Sequence, residues 1–402
     1  VTTIESGAFK NCAGLKRVSI GSNVVNCGNG VFNGCDALQY TESNNGLYLG
    51  NKNNPHVIFM KVKDKDSGIF DINENTHIIY DKAFYDCNLL ESIVIPSKVT
   101  SIGSYAFSGC NLKEVTIGDN LTSIGYEAFY KQENLRSIDF SGDVAAWHAI
   151  SGISSLTRAS DTHTLWLKGE KAYSVEIPAG TTEIKDYAFY GCVNLTSVTI
   201  PESVVEIGRE AFKNCYKLVE VINKSELDIY KNGKTDGSVG EYALIVEKQG
   251  ESKIYRQDDF VFFNYYGNIC LVEYLGKEPT IELPDNYGGY NYDIYKYAFA
   301  DCINATEIFV AENTVSIYPG AFRYCDNLES LSLPFVGGSR DESYFSQKVF
   351  GYIFGYEVIT KSYEPGEDYL KELGLQDAVV QYRKQIGSNQ YEYYYYHIPK
   401  KI

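Results

Sequence analysis

Cysteine is the residue whose type and spacing most suggest chemistry in this sequence. Eight of the ten cysteines stand three residues after a phenylalanine: Cys12, Cys35, Cys87, Cys110, Cys192, Cys215, Cys302 and Cys325. A structural zinc site needs four thiolates or imidazoles that converge on one point, and the sequence has no CxxC or Cys/His box. Metal binding is therefore the weakest interpretation of these cysteines.

Two other interpretations of the recurring cysteine stay open. Pairs such as Cys87 and Cys110 lie one repeat apart, and Cα atoms on neighbouring coils, about 4.8 Å apart, suit a disulfide. Side chains in register, however, run parallel instead of meeting at the dihedral angle of a disulfide. Free cysteine is also a small residue that is commonly buried. Cys27 favours core packing, because other repeats have Ile102 or Ile207 at its position.

These cysteines belong to a repeat marked by an Ala-Phe or Val-Phe pair. The commonest spacing is 23 residues, and the phenylalanines are Phe9, Phe32, Phe84, Phe107, Phe129, Phe189, Phe212, Phe299, Phe322 and a degenerate Phe350. A fixed period of about 20 to 50 residues predicts a solenoid, in which stacking of small units supplies the core. Between the pairs, LxxVxI segments such as 112–117 have strand periodicity, and a following Pro or Gly ends the strand.

The repeat predicts a single solenoid of about twelve coils over residues 1–402, in which each apolar position forms a ladder along the stack. The AFxxC corner is expected to be a tight helical turn. Because the first residues already belong to a repeat, we expect a fragment of a longer chain. Three coils that lack the corner are expected to keep the strand, at 70–72, 175–177 and 281–283.

Insertions are predicted to interrupt the coils near 43–68, 141–172, 223–279 and 334–397. The first and third contain apolar runs around turn residues, which predict hairpins. The second contains SGDVAAWHAIS, which predicts a short helix capped by Ser or Asp. The fourth has a candidate helix near 368–384.

These residues resemble the BspA-like leucine-rich repeat family, whose unit reads roughly VTSIGxxAFxxCxxLxxVxIPxS. The resemblance covers nearly the whole chain and is strongest at 99–117 and 188–215. It implies a repeat solenoid, a leucine-rich repeat right-handed superhelix that is β-rich, with short helical turns and inserted β-hairpins. It also implies a secreted or cell-surface protein without common catalytic residues, and some members are implicated in adhesion to host proteins or other cells.

Net charge and composition limit the kinds of partner that the chain is expected to bind. Asp and Glu outnumber Lys and Arg by 52 to 36, and the formal charge of −16 repels nucleic-acid phosphates and anionic lipids. No apolar run reaches the length of about 18 residues that a membrane span needs. We therefore expect no cofactor, no metal, no nucleic acid and no membrane insertion within this segment. We expect a monomer whose partner is a protein or a glycan.

Strand alternation places two columns of side chains on the outward surface of the predicted solenoid. Their candidate binding residues are Glu114, Thr116, Asp139, Thr199, Ile222, Phe309 and Ser332. Small hydroxyl side chains give a flat surface for a broad partner, although Ser and Thr also suit exposed strands that bind nothing. Ile222 and Phe309 predict an apolar patch beside the third insertion.

Tyrosine is in excess, with 35 residues that are concentrated in the runs FVFFNYYG, NYGGYNYDIYKYAF and YEYYYYH. Tyrosine supplies amphipathic contact area at low entropic cost, as it does in protein interfaces. The candidate contact residues are Tyr265, Tyr266, Tyr290 and Tyr292. Packing of the insertions onto the coils is the alternative role for these rings.

These features predict a non-catalytic cell-surface or secreted leucine-rich repeat binding protein, located outside the cell or on its surface. Its strand face and tyrosine-rich insertions are expected to adhere to host or microbial proteins or glycans. One alternative is a polysaccharide-acting β-solenoid enzyme, for which Glu114 and Asp139 on adjacent coils are the best pair of acids. Another is a passive surface spacer.

Overall fold

A computed structural model describes residues 1–68, 70–248, 250–300, 302–340, 347–361, 365, 369–370, 379–387 and 390–399. The chain divides into two compact units, Val1–Gln249 and Gly250–Ile402. Within each unit, short parallel strands join successive coils, and antiparallel hairpins are added to them. The β-rich repeat solenoid with inserted hairpins is therefore confirmed. A single solenoid over 1–402 stays a prediction.

The first unit consists mainly of short strands. Its elements are β1 (Thr3–Ile4), β2 (Asn26–Cys27), β3 (Thr41–Ser43), β4 (Gly46–Leu49), β5 (Ile58–Val62), β6 (Ile78–Ile79), β7 (Ser92–Ile95), β8 (Ser101–Ile102), β9 (Glu114–Ile117), β10 (Ser123–Ile124), β11 (Ser137–Phe140), α1 (Val144–Ala149), α2 (Ser154–Thr157), β12 (Thr164–Leu167), β13 (Glu170–Lys171), β14 (Ser174–Glu176), β15 (Glu183–Ile184), β16 (Ser197–Ile200), β17 (Glu206–Ile207), β18 (Glu220–Asn223), a 3-10 turn at Asp236–Ser238 and β19 (Ile245–Glu247).

Two sets of strands stack the coils of the first unit. The longer strands form sheets in the orders β13-β12-β11-β9-β7 and β14-β16-β18-β19. The two-residue strands that precede the corners pair as β1-β2 and β15-β17 and within the sheet β10-β8-β6-β5-β4-β3. Equivalent repeat positions are in register, so that Ile93, Val115, Ile138 and Leu165 follow one another across four strands. These side chains form one of the predicted apolar ladders.

Phenylalanine rings form a second ladder in the core of the first unit. The ring centroids of Phe59, Phe84, Phe107 and Phe129 are separated by 4.6, 4.9 and 5.0 Å in turn. Successive rings are within 13° of parallel, and all four are at most 1% exposed. Offset stacking of this kind stabilises aromatic pairs beyond their buried area. The predicted stacking of Phe over Phe is confirmed.

The corner around each phenylalanine is not the predicted helical turn. The residues two before and two after the ring adopt left-handed conformations, as Tyr105 (φ 56°) and Gly109 (φ 75°) do around Phe107. A helix would keep its N–H groups within its own segment, whereas this alternation directs alternate N–H groups at the next coil. The bonds run from Tyr105 to the carbonyl of Tyr126, from Phe107 to Ala128 and from Gly109 to Tyr130, at 3.0, 2.7 and 3.1 Å. We call this pattern the corner ladder.

Two predicted insertions and one predicted strand of the first unit differ from expectation. The 43–68 segment contains the predicted hairpin, β4 against β5, but β5 then pairs in parallel with β6 and carries Phe59 into the ring ladder. The 141–172 segment is a coil rather than a peripheral insertion, because β12 pairs with β11 in register along its whole length. Residues 70–72 are not a strand, although Ile72 is buried in the core. The strand predicted at 175–177 is present as β14 (Ser174–Glu176).

The helix predicted in the second segment is confirmed and replaces part of the corner ladder. Helix α1 has Asp143 as its N-cap, whose carboxylate accepts the N–H of Ala146. Trp147 and Ile150 are fully buried. The indole N–H of Trp147 donates to the carbonyl of Ala188 at 3.0 Å, which is the carbonyl that a phenylalanine N–H of a preceding corner would otherwise reach. The side chain therefore supplies a bond that the backbone of this coil does not.

The second unit contains β20 (Ile254–Gln257), β21 (Phe260–Tyr265), β22 (Asn268–Tyr274), β23 (Thr280–Glu282), β24 (Asp293–Ile294), β25 (Glu307–Phe309), β26 (Ser330–Ser332), a 3-10 helix at Phe350–Phe354, β27 (Tyr356–Lys361), β28 (Val379–Gly387) and β29 (Gln390–Tyr396). Its sheets have the orders β20-β21-β22-β24, β23-β25-β26 and β27-β29-β28. Its core includes the stacked rings of Phe299 and Phe322, 5.2 Å apart.

The predictions for the 223–279 and 334–397 segments are confirmed in part. The hairpin in the former is β21 against β22, but residues 245–247 are β19 and pair in parallel with β18, so a coil precedes it in the first unit. Ile281 lies in β23 as expected. The helix predicted near 368–384 is wrong over 379–384, which belong to β28. Residues 371–378 lie outside the described part.

Glycine before the corner allows neighbouring coils to approach closely. A Cβ on Gly103 would lie 2.4 Å from the backbone nitrogen of Asp81, and one on Gly208 would lie 2.4 Å from that of Asp186. Such contacts cannot be relieved by moving a flexible side chain, because the obstructing atom belongs to the backbone. The Gly of the repeat is therefore a packing requirement.

We expect Gly103→Ala to lower the free energy of unfolding by about 1–3 kcal/mol, the usual cost of overpacking. Urea denaturation followed by circular dichroism measures this change. Gly14→Ala is the control, since nothing lies within 4 Å of its Cβ position, and its effect should stay within about 0.5 kcal/mol. Equal losses for the two variants would contradict the packing argument.

Candidate functional site

The outer side of the five-stranded sheet in the first unit brings several predicted binding residues together. Val94, Thr116, Asp139 and Trp166 are register partners on β7, β9, β11 and β12. Val94 is 64% exposed, and the other three are partly exposed. Glu114 is exposed in the neighbouring column, where it pairs in register with Ser137. We call these five side chains, Val94, Glu114, Thr116, Asp139 and Trp166, the outer strand face.

Trp166 is the residue of this surface that sequence reasoning missed. It lies in β12, and its register partner on the antiparallel strand β13 is Lys171. The Lys171 ammonium lies 5.8 Å from the centroid of the Trp166 ring, within the range of a cation–π contact. In TLWL at 164–167, as in SIDF at 137–140, inward and outward side chains alternate. This alternation could have identified Trp166 as an outward residue.

Thr199 and Ile222 are register partners on β16 and β18. Thr199 is partly exposed. Ile222 is only 7% exposed. All four residues of its strand, β18, are buried. The predicted contribution of Ile222 to an exposed apolar patch is therefore wrong.

In the second unit, Phe309 and Ser332 lie side by side. Phe309 on β25 has Glu282 on β23 and Ser332 on β26 as its register partners. The Phe309 ring is 39% exposed, and Ser332 and Glu282 are exposed as well. An apolar ring between polar side chains is available to a partner here, and its binding role stays a prediction.

The four candidate tyrosines separate into three on the surface and one in the core. Tyr265 and Tyr266 lie at the turn between β21 and β22 with ring centroids 4.9 Å apart, and Tyr266 is 75% exposed. Tyr290 is 67% exposed. Tyr292 is 1% exposed, and its hydroxyl donates to the carbonyl of Pro284 at 2.5 Å. Its predicted role as a surface contact is wrong, because the ring packs in the core.

The acids proposed for a glycan-cleaving site are placed diagonally on adjacent strands. Glu114 faces Ser137 in register, and Asp139 faces Thr116, so neither carboxylate lies directly opposite the other. Within the residues that the structure describes, no group of three or more His, Cys, Asp or Glu side chains could hold a metal ion.

The recurring cysteine has a hydrogen-bonding role in addition to packing. The thiols of Cys110, Cys215 and Cys325 each lie 3.1 Å from the carbonyl oxygen of the phenylalanine in the preceding corner, to which they donate. Gln132, which replaces cysteine in one coil, donates its amide N–H to the equivalent carbonyl of Phe107 at 2.8 Å. The position thus needs a small or flexible buried donor. All ten cysteines are free thiols, so the structure contains no disulfide.

Burial makes the thiols of Cys87 and Cys110 unreactive. It raises the pKa of Cys87 to about 11 and that of Cys110 to about 12. Cys12 alone among the ten is exposed.

We expect alkylation of the folded protein without reductant to modify Cys12 first, because the other nine thiols are buried. After denaturation, still without reductant, all ten cysteines should be alkylated, and intact mass spectrometry counts the adducts. A pair that becomes reactive only after reduction would show that neighbouring coils are cross-linked.

His163 occupies the register position of the cysteine in the helix-containing coil. It forms a parallel bridge with Cys192, and its Nε2 atom is 3.7 Å from the Cys192 sulfur. The ring is fully buried, and its Nδ1 atom has no hydrogen-bond partner in the described part of the chain. Burial lowers the pKa of His163 to about 3.

A histidine with a lowered pKa makes the fold sensitive to acid. The unfolded chain takes up a proton near pH 6.5, whereas the folded chain does so only near pH 3, so stability is lost as the pH falls between these values. We expect this loss to approach about 1.4 kcal/mol per pH unit below about pH 6. His163→Gln should remove that component, since Gln132 already serves the same position in a neighbouring coil. Parallel stability profiles for both proteins between pH 4 and pH 7 would refute this account.

The stacked coils, the phenylalanine ladder and the buried donor position define a leucine-rich repeat solenoid. Residues 1–53, 66–158, 167–234 and 279–353 match the family described as BspA type leucine rich repeat region, in six copies. The chain therefore belongs to the BspA-type leucine-rich repeat family. No curated protein matches the chain.

Solved structures of bacterial repeat proteins are similar to parts of this chain. A leucine rich cell surface protein from Faecalibacterium prausnitzii is 22% identical, with 73% of this chain and 76% of that chain covered and a TM-score of 0.30. A leucine-rich repeat protein from Bacteroides ovatus is 22% identical, with 82% of each chain covered and a TM-score of 0.25. One from Eubacterium ventriosum is 16% identical, with 68% and 65% covered and a TM-score of 0.20. In the described residues, no helix has the length and apolarity to cross a membrane.

Proposed function

We propose that this protein is a non-catalytic binding protein of the cell surface or the extracellular space. Its partner is a protein or a glycan that contacts the outer strand face of the first unit. The family to which the chain belongs supports a repeat protein that presents a surface.

The observation that carries the proposal is the in-register column from Val94 to Trp166. Paired parallel strands hold these four side chains at a spacing of about 4.8 Å, and a surface fixed in this way loses little entropy on binding. The column combines an exposed apolar side chain, a hydroxyl, a carboxylate and an indole. Aromatic anchors surrounded by polar groups are typical of the residues that dominate binding energy in interfaces.

Two exposed tyrosines of the second unit supply further candidate contacts. Tyr266 and Tyr290 are 75% and 67% exposed, each in a tight turn. A tyrosine on a short turn presents a large ring with few rotatable bonds. These rings support binding by turns of that unit in addition to the outer strand face.

We expect the purified protein to bind at least one ligand on arrays of host matrix proteins, mucins, glycans and bacterial surface polysaccharides above an unrelated solenoid control. Thr116→Arg should weaken this binding about tenfold or more, because a bulky charge at the centre of the column prevents close contact. Surface plasmon resonance measures the change for the ligand that the array selects.

Thr182→Arg is the matched control, since Thr182 is also exposed in the first unit but lies away from the outer strand face. Equal affinities for the two variants would place the contact elsewhere. An array with no ligand above the control would leave the protein as a passive spacer.

A further inference from the structure

The corner ladder of the first unit is interrupted after the second coil, as it is at the helix-containing coil. The segment that follows Phe32 is the meander of β3, β4 and β5, which has no Ala-Phe corner. The N–H of Gly30 donates instead to the Asp81 carboxylate at 2.8 Å, and that of Phe32 donates to the Tyr80 hydroxyl at 2.8 Å. Two side chains from a later coil thus replace the missing carbonyl groups. These side chains connect the corner at Phe32 to the later coil, but a gap remains between the two coils.

The gap is an open groove with a volume of about 760 Å³, which is in the range of small-ligand sites. We call it the notch. Its walls include Lys10, Asn33, Asp81, Lys82, Tyr105 and Tyr126.

The charges in the notch favour an anionic ligand. The Asp81 carboxylate already accepts two backbone N–H groups, from Gly30 at 2.8 Å and from Ser104 at 2.9 Å. Neither Lys10 nor Lys82 forms an ion pair with a described residue. The Lys82 ammonium lies 5.6 and 5.8 Å from the ring centroids of Tyr85 and Tyr105, and its charge also acts on the Asp81 carboxylate. Two ammonium groups are therefore available in a protein whose net charge is −16.

The aromatic and amide groups favour a sugar as the carrier of that negative charge. Tyr126 is 64% exposed, and its ring centroid is 5.7 Å from that of Tyr105, with the rings nearly perpendicular. The side-chain amide of Asn33 is exposed and makes no hydrogen bond to a described residue. Desolvation and the Glu127 carboxylate raise the pKa of Tyr105, and a hydrogen bond to the same carboxylate raises the pKa of Tyr126. Rings, a free amide and ammonium groups together match the apolar face, the hydroxyls and the carboxylate of an acidic pyranose.

We propose that the notch binds a carboxylated sugar residue of a glycan. The carboxylate lies between Lys10 and Lys82, the sugar ring packs against Tyr105 and Tyr126, and Asn33 hydrogen-bonds to ring hydroxyls. The notch is formed at the corners of the coils and shares no residue with the outer strand face. This site is therefore independent of the surface proposed above.

The test is isothermal titration of the full chain with sialyllactose, with a disaccharide that ends in glucuronic acid, and with neutral lactose. We expect at least one carboxylated sugar to bind at least about tenfold more tightly than lactose, a difference of about 1.4 kcal/mol. Binding should weaken as ionic strength rises, because an ion pair contributes to it. Sialyllactose alone would indicate a sialylated glycan as the source, and the glucuronide alone a polyuronate.

Two pairs of variants locate the site. Lys82→Met should lower the affinity about tenfold, whereas Lys16→Met, which removes an exposed lysine of the first coil, should leave it unchanged. Tyr126→Ala should weaken binding, whereas Tyr130→Ala removes a ring that is 48% exposed but does not line the notch. Melting temperatures within error of the parent protein show that each variant is folded.

Four outcomes would overturn the proposal: no sugar binds, lactose binds as well as the acidic sugars, both lysine variants behave alike, or an Asp/Glu-rich peptide displaces the sugar more strongly than free sugar does. Thr116→Arg should not alter sugar binding. If Thr116→Arg loses array binding but retains sugar binding, the two sites are separate. Loss of sugar binding with array binding retained in Lys82→Met would show the same.

Discussion

The structure depends on one set of backbone hydrogen bonds, those that leave each corner for the next coil. Alternate left-handed residues turn the N–H groups of a corner toward one neighbour and its carbonyl groups toward the other. Neighbouring coils must therefore come within hydrogen-bonding distance at every corner, which requires glycine at positions such as Gly103. The stacked phenylalanine rings and the thiol that donates to a phenylalanine carbonyl follow from the same close approach.

In the irregular segments, side chains form the hydrogen bonds for which the neighbouring coil offers no backbone partner. On one side of the helix-containing coil, the indole of Trp147 donates to the carbonyl of Ala188. At the notch, Asp81 and Tyr80 accept the N–H groups of Gly30 and Phe32. Both junctions keep buried backbone groups satisfied, as a folded interior demands. They also place unusual side chains at fixed points along a repetitive stack, which is how a regular solenoid acquires individual sites.

Much of the fold could be predicted from the sequence, because its periodicity is carried by residues that point inward. The spacing of phenylalanine and cysteine gave the ladders, and SGDVAAWH gave the capped helix. The corner conformation could not be predicted, since left-handed positions are filled by residues such as Lys82 and Tyr105 that do not signal them. The coil at 141–167 lacks an Ala-Phe pair and so resembled an insertion. Tyr290 and Tyr292 are two residues apart in one sequence run, and only tertiary packing separates the exposed ring from the buried one.

The direction of the corner bonds has an electrostatic consequence. Each peptide in the corner ladder is a dipole whose positive end points toward the later coil, and aligned dipoles add in the way they do in an α-helix. A run of regular corners therefore has a macrodipole parallel to its stacking axis, with carbonyl oxygens at its first coil and N–H groups at its last. The first two coils form such a run, and its positive pole faces the notch. The Asp81 carboxylate, which accepts the N–H of Gly30, places a negative charge at that pole.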